Sequence, residues 1–172
     1  MFRSHSLHPS ADQPLDQPPR QIRLPRPLSL PLRLMPGGLH SRLLARMLNH
    51  TLAQQLADAE LDMMQGRTLQ VSIQDAGIDY RLTLEDGRMQ ISHNPPDVIL
   101  SGHLHDFLLL LTRREDPDTL FFQRRLSIQG DTGLGLSIKN FLDSLDWDEL
   151  PLPGFAQQGL DKTLDLYQRV FR

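Results

Sequence analysis

Cysteine is absent from the 172 residues of this chain. That absence excludes disulfides, thiolate catalysis and cysteine-ligated metal, iron–sulfur clusters included. It fits a reducing compartment. Long apolar runs are lacking too. The longest, Phe107 to Leu111, lies between Asp106 and Arg113, whereas a membrane span needs about 20 apolar residues. No secretory apolar segment sits near the start. Strong net charge is also missing, and a balance of −3 gives no reason to expect nucleic acid as a partner. These absences lead us to expect a cytoplasmic soluble protein of one domain, with or without a tail.

What charge there is lies unevenly. Residues 1–36 hold five arginines and two aspartates, +3, which leaves −6 for the remainder. The same 36 residues hold eight of the thirteen prolines. Proline removes backbone donors and restricts its predecessor, so this arm should be extended or disordered. From Leu24 to Pro36 it alternates Leu with Pro and Arg. Such a pattern suits a chain that crosses the domain surface, or a docking arm for a membrane or partner.

Gly37-Gly38 ends the arm. A helix is predicted from Leu39 or Ser41 to Ala57, with Leu44, Leu48, Leu52 and Leu56 at steps of four and Leu43 and Met47 widening the stripe. The period then falls to two. Leu69, Val71 and Ile73 form one strand, Ile78, Tyr80, Leu82 and Leu84 the next, and Met89 and Ile91 a third. Asp86-Gly87 is a hairpin signal between the last two. Three linked strands with one apolar face imply an antiparallel sheet covered on that side only. Val98 to Leu100 is a fourth strand. Ser101 is placed to cap a helix that runs to about Arg114. Asp116-Pro117 opens a short helix, Leu126 to Gln129 is a fifth strand, and Asp131 caps a helix to about Leu145. A last helix carries Leu160, Leu164, Tyr167 and Phe171. Strands and helices do not alternate strictly, so the class is α+β, a five-stranded mainly antiparallel sheet covered by helices. The units expected are an arm at 1–36, a domain at 37–150 and an amphipathic helix at 151–172.

Motifs for chemistry are few. His103 and His105 stand two apart on the predicted helix, a poor spacing for shared metal ligation, so solvated or capping roles are expected and no metal. Gly130-Asp-Thr-Gly133-Leu-Gly135 lacks the terminal Lys-Ser/Thr of a phosphate loop. It reads as a strand-to-helix turn with Asp131 as N-cap and glycines that permit close packing. No serine sits in a G-x-S-x-G elbow. Asp143, Asp146, Asp148 and Glu149 form an acidic cluster. Arg124-Arg125 follows Phe121-Phe122, and two readings stand for it. The pair can hold an anionic lipid headgroup, or it can form ion pairs with the acidic cluster.

The run from Asp116 to Asp146, DPDTLFFQRRLSIQGDTGLGLSIKNFLDSLD, resembles the closing segment of the sterol carrier protein 2 domain family. The likeness is strongest to a bacterial branch of ubiquinone-biosynthesis accessory factors, and it extends over approximately Leu28 to Leu150. The resemblance implies a sheet and helices around a lipid-sized apolar cavity, with no catalytic residues and no cofactor. It turns Leu82, Ile91, Phe107, Leu108, Leu111, Phe121, Ile138, Phe141, Leu142 and Leu145 from ordinary core candidates into expected cavity residues. Arg124, Arg125 and Lys139 become expected headgroup or membrane contacts. It further implies prenylated quinone precursors or other lipids as ligands and the iron–sulfur proteins UbiU and UbiV as partners in oxygen-independent hydroxylation. The leucines and arginines of residues 24–36, and the apolar stripe of residues 157–172 with Arg169 and Arg172, lead us to expect peripheral contact with the inner membrane. A general phospholipid or fatty-acyl carrier, and a structural adaptor that holds no lipid, are the alternatives.

Overall fold

The computed structural model describes residues 37–146, 149 and 150, together with Lys162, Asp165 and Arg169. The proline-rich arm and the apolar stripe of the last helix lie outside the described residues. One contact reaches across to that end of the chain, where Arg114 Nη2 donates to Asp165 Oδ1 at 2.9 Å.

The expected first helix is broken in two, α1 (Gly37–Thr51) and α2 (Ala53–Ala57). A short 3₁₀ turn at Asp62–Met64 follows, and it drives Met64 into the core at 1% exposure. Then come β1 (Thr68–Ile73), β2 (Ile78–Glu85), β3 (Arg88–Ile91), β4 (Val98–Gly102), α3 (Leu104–Leu111), α4 (Pro117–Phe122), β5 (Leu126–Gly130) and α5 (Thr132–Ser144). The five strands form one sheet in the order β3-β2-β1-β4-β5. Most pairs are antiparallel, but β1 and β4 run parallel, Val71 opposite Leu100.

Period-two alternation gives this sheet one apolar and one polar face. Register sets apolar residues in rows. Ile91, Leu82, Leu69 and Val98 make one row, and Tyr80, Val71, Leu100 and Ile128 make the next. The polar face is stitched by hydroxyls. Thr68 Oγ1 lies 2.8 Å from Ser92 Oγ, and Ser101 Oγ lies 2.9 Å from Ser127 Oγ. Ser101 is therefore a strand residue of β4, and His103 occupies the N-cap position of α3.

The other two helix starts are where the sequence puts them. Asp116 accepts from Thr119 N at 2.8 Å with Pro117 in the first turn, and Asp131 accepts from Leu134 N at 2.9 Å. Each satisfies an N–H that has no partner inside its helix. Gly135 is a contact glycine, since a Cβ there would sit 2.7 Å from Ile128 Cγ2. This lets α5 settle on β5.

Candidate functional site

Between α1, the apolar sheet face, α3 and α5 the packing leaves a cavity of about 320 Å³. Its floor is the row Tyr80, Val71 and Leu100, with Ile73 and Leu82 to either side. One wall is α3, through Leu104, Phe107, Leu108, Leu110 and Leu111. A second wall is the end of α5 through Phe141 and Leu142, continued by Leu145 and Leu150. The third is α1 with the residue after it, through Leu44, Met47, Leu48, Thr51 and Leu52. Protein interiors ordinarily close to a density near 0.75 with few voids larger than water. Among the described residues that line the space, Thr51 and Tyr80 alone bring polar side-chain oxygens or nitrogens, and none is charged. Burial holds the Tyr80 hydroxyl above the ordinary phenol range, so it stays neutral.

Seven of the expected cavity residues line this space, namely Leu82, Phe107, Leu108, Leu111, Phe141, Leu142 and Leu145. Three do not. Ile91 lies on the edge strand β3, one strand beyond Leu82, and packs against the main core. Ile138 sits about one turn before Phe141 on α5 and is buried in that same core at 4% exposure. Phe121 packs beside Leu110, Leu120 and Leu126 and lines a depression on the outer surface with Phe122 and Lys139. The α1 wall was not singled out as part of the cavity, although its Leu44, Leu48 and Leu52 spacing was visible as a buried stripe. Periodicity marks a buried face without distinguishing a packed one from one that borders a void.

The basic pair divides. Arg124 is exposed, with φ 57° at the end of α4. Its N–H bonds Phe121 O and that of Arg125 bonds Leu120 O, the paired closure that ends many helices. Arg125 turns inward. Its Nη2 lies 2.6 Å from Asp106 Oδ1, its Nη1 donates to Glu115 Oε2 at 3.0 Å, and Nη2 meets His105 Nδ1 at 3.3 Å. The carboxylates paired with Arg125 are Asp106 and Glu115, and neither belongs to the acidic cluster. Arg125 thus faces the first turn of α3 and the segment after that helix. Burial pushes the Asp106 carboxyl upward, but the His105 hydrogen bond and the Arg125 guanidinium outweigh it, and the group ends below its ordinary range. His103 and His105 are buried beside Asp106 at 8% and 9% exposure, so they are not solvated.

Lys139 is also engaged. Its Nζ lies 2.6 Å from both Asp118 Oδ1 and Asp143 Oδ2, and 5.8 Å from the Phe121 ring centre. Two carboxylates offset its charge, which makes it a poor phosphate contact. Asp148 of the acidic cluster lies outside the described residues.

Comparison with known proteins gives one consistent result. Residues 45–143 match the family model described as the SCP-2 sterol transfer family. The "Ubiquinone biosynthesis accessory factor UbiT" of Escherichia coli (strain K12) is 38% identical over 128 residues, which is 74% of this chain and 74% of that one. Among solved structures, "UbiJ-SCP2 Ubiquinone synthesis protein" superposes with a TM-score of 0.50 at 16% identity, covering 62% of this chain and 95% of the other. The structural likeness concerns the fold alone. No helix among the described residues is long and apolar enough to cross a membrane.

Proposed function

The chain belongs to the SCP-2 sterol transfer family, and from that premise we propose that it is a lipid-binding accessory factor of ubiquinone biosynthesis without catalysis of its own. The observation that carries this reading is the cavity of about 320 Å³ with hydrocarbon on every described wall and no charge among the described residues that line it. A void near 150 Å³ lined by Leu, Ile and Phe takes up benzene, so this one has room for roughly a dozen carbons. At ~0.8 kcal/mol per sheltered CH₂ the gross gain is on the order of 10 kcal/mol, before the costs of ordering the ligand.

The finer reading is that the tail-bearing precursors of a prenylated quinone shelter here while partner enzymes modify the ring. The UbiT resemblance supports that assignment and points to UbiU and UbiV as the partners in an oxygen-independent route. The space suits about two isoprene units, so a longer tail extends beyond it, and peripheral contact with the inner membrane gives the remainder an apolar surface. A phospholipid carrier is the second reading. The neutral lining favours the first, because a phosphate placed inside would find no charged partner on these walls.

Mass spectrometry of the organic extract from purified protein tests the proposal. Prenylated phenols or quinones support it. Phospholipid alone favours the general carrier, and an extract with no lipid favours an adaptor.

A further inference from the structure

Several hydroxyls in or just after the helices bond back to a carbonyl three or four residues earlier. Thr112 Oγ1 donates to Leu108 O at 2.7 Å, Ser137 Oγ to Gly133 O at 3.0 Å and Ser144 Oγ to Phe141 O at 2.9 Å. Thr51 breaks this pattern. It is the last residue of α1 and is 7% exposed. Its Oγ1 is closed off from solvent and has no hydrogen-bond partner among the described residues. Thr51 lines the cavity, but in this rotamer its Oγ1 is closed off from that space too, so only a turn about χ1 brings the hydroxyl to a ligand. A buried hydroxyl without a partner is unfavourable, and in a helix threonine has two accessible χ1 wells. A change of well exchanges the positions of its methyl and hydroxyl groups.

Together these observations assign a chemical class to the occupant. We propose that Thr51 receives a hydroxyl or carbonyl oxygen of an uncharged lipid, so that the cavity distinguishes an oxygenated lipid from a bare hydrocarbon of the same shape. The proposal rests on the lipid-carrier reading and goes beyond it by naming the residue and the functional group it recognises. A neutral group suits the site best, since no described lining side chain offers a countercharge. Among the described lining residues Tyr80 brings the only other side-chain hydroxyl, from β2 of the sheet. It is already engaged in an interaction of its own. Thr51 is the buried lining hydroxyl that has no hydrogen-bond partner among the described residues.

The test uses a matched pair of probes, a farnesyl-substituted phenol and farnesylbenzene, which differ by one hydroxyl. Affinities are measured for the full-length wild type, Thr51→Val and Thr51→Ser. One net hydrogen bond predicts that the wild type prefers the phenol about fivefold. Thr51→Val, which keeps the shape and removes the oxygen, should abolish the preference or reverse it, because the phenol hydroxyl then has no partner at this position. Thr51→Ser should retain the preference. A second readout moves the opposite way. Free of lipid, Thr51→Val should melt at the wild-type temperature or above it, because it deletes a buried hydroxyl that has no partner. A wild type that binds both probes equally, or a preference that persists in Thr51→Val, overturns the assignment. A wild type that binds neither probe overturns the carrier reading itself.

Discussion

Arg125 and Asp106 stand 2.6 Å apart, Nη2 to Oδ1, and this pair ties the start of β5 to the first turn of α3. Both side chains are largely buried, at 15% and 6% exposure. Because α3 supplies one cavity wall, the pair fixes the position of that wall relative to the sheet. Removing one partner leaves the other as an uncompensated charge. Arg125→Gln should therefore lower unfolding free energy by about 2–4 kcal/mol, measured by urea denaturation. A loss within error would show that the contact contributes nothing.

Arg124 should behave in the opposite way. It holds φ 57° at the residue after the α4 cap, a conformation that costs most side chains energy and glycine little. Arg124→Gly should leave stability unchanged or raise it by up to about 1 kcal/mol. A clear loss in the same urea experiment would mean that the arginine side chain makes a stabilising contact. If the segment touches anionic membranes, Arg124→Gln should weaken vesicle binding and reduce its salt dependence. Equal binding at all salt concentrations would remove this face from consideration.

The low pKa of Asp106 gives stability a pH signature. A carboxyl whose folded pKa lies below its unfolded value stabilises the fold above the unfolded value, near 4, and loses that contribution as pH falls through the folded one. Unfolding free energy should thus fall as pH drops below about 5 and on through the folded pKa, and Asp106→Asn should flatten part of that slope. Parallel curves for variant and wild type would assign the acid sensitivity to other carboxyls.

Gly135→Ala places a methyl 2.7 Å from Ile128 Cγ2. Either α5 lifts from β5 or Ile128 turns, and crowding of this kind costs about 1–3 kcal/mol. Because α5 carries Phe141 and Leu142 into the cavity, lipid affinity measured on folded protein should shift as well. A variant with unaltered melting would show that the helix adjusts at no cost.

The parts of this structure visible in the sequence are those encoded locally. Alternating Leu69, Val71 and Ile73 gave a strand, Asp86-Gly87 a hairpin, and Asp116 and Asp131 two helix starts, all by rules that act within a few residues. The parts that stayed hidden depend on distant partners. Parallel pairing of β1 with β4 follows a return of the chain that no local pattern announces. Ser101 looked like a cap because caps and strand hydroxyls share the same residue types, and its bond to Ser127 decided for the strand. Arg125 sat beside Arg124 in the sequence but faces the other way, since a left-handed residue between helix and strand reverses the chain. Phe121, Ile138 and Ile91 are apolar and well placed on their elements, yet only three-dimensional packing separates a residue that fills space from one that borders it.

Filling the cavity tests the central claim most directly. Val71 lies in the middle of its floor, and a Val71→Phe side chain would occupy space that the fold leaves open. The measurement is the affinity of a farnesyl-substituted phenol for wild type and for Val71→Phe, each shown by urea denaturation to unfold cooperatively. The account predicts stoichiometric binding to the wild type, at least tenfold weaker binding to a variant of equal or greater stability, and less lipid in that variant's organic extract. Equal affinity in the two folded proteins would contradict it and place the lipid elsewhere.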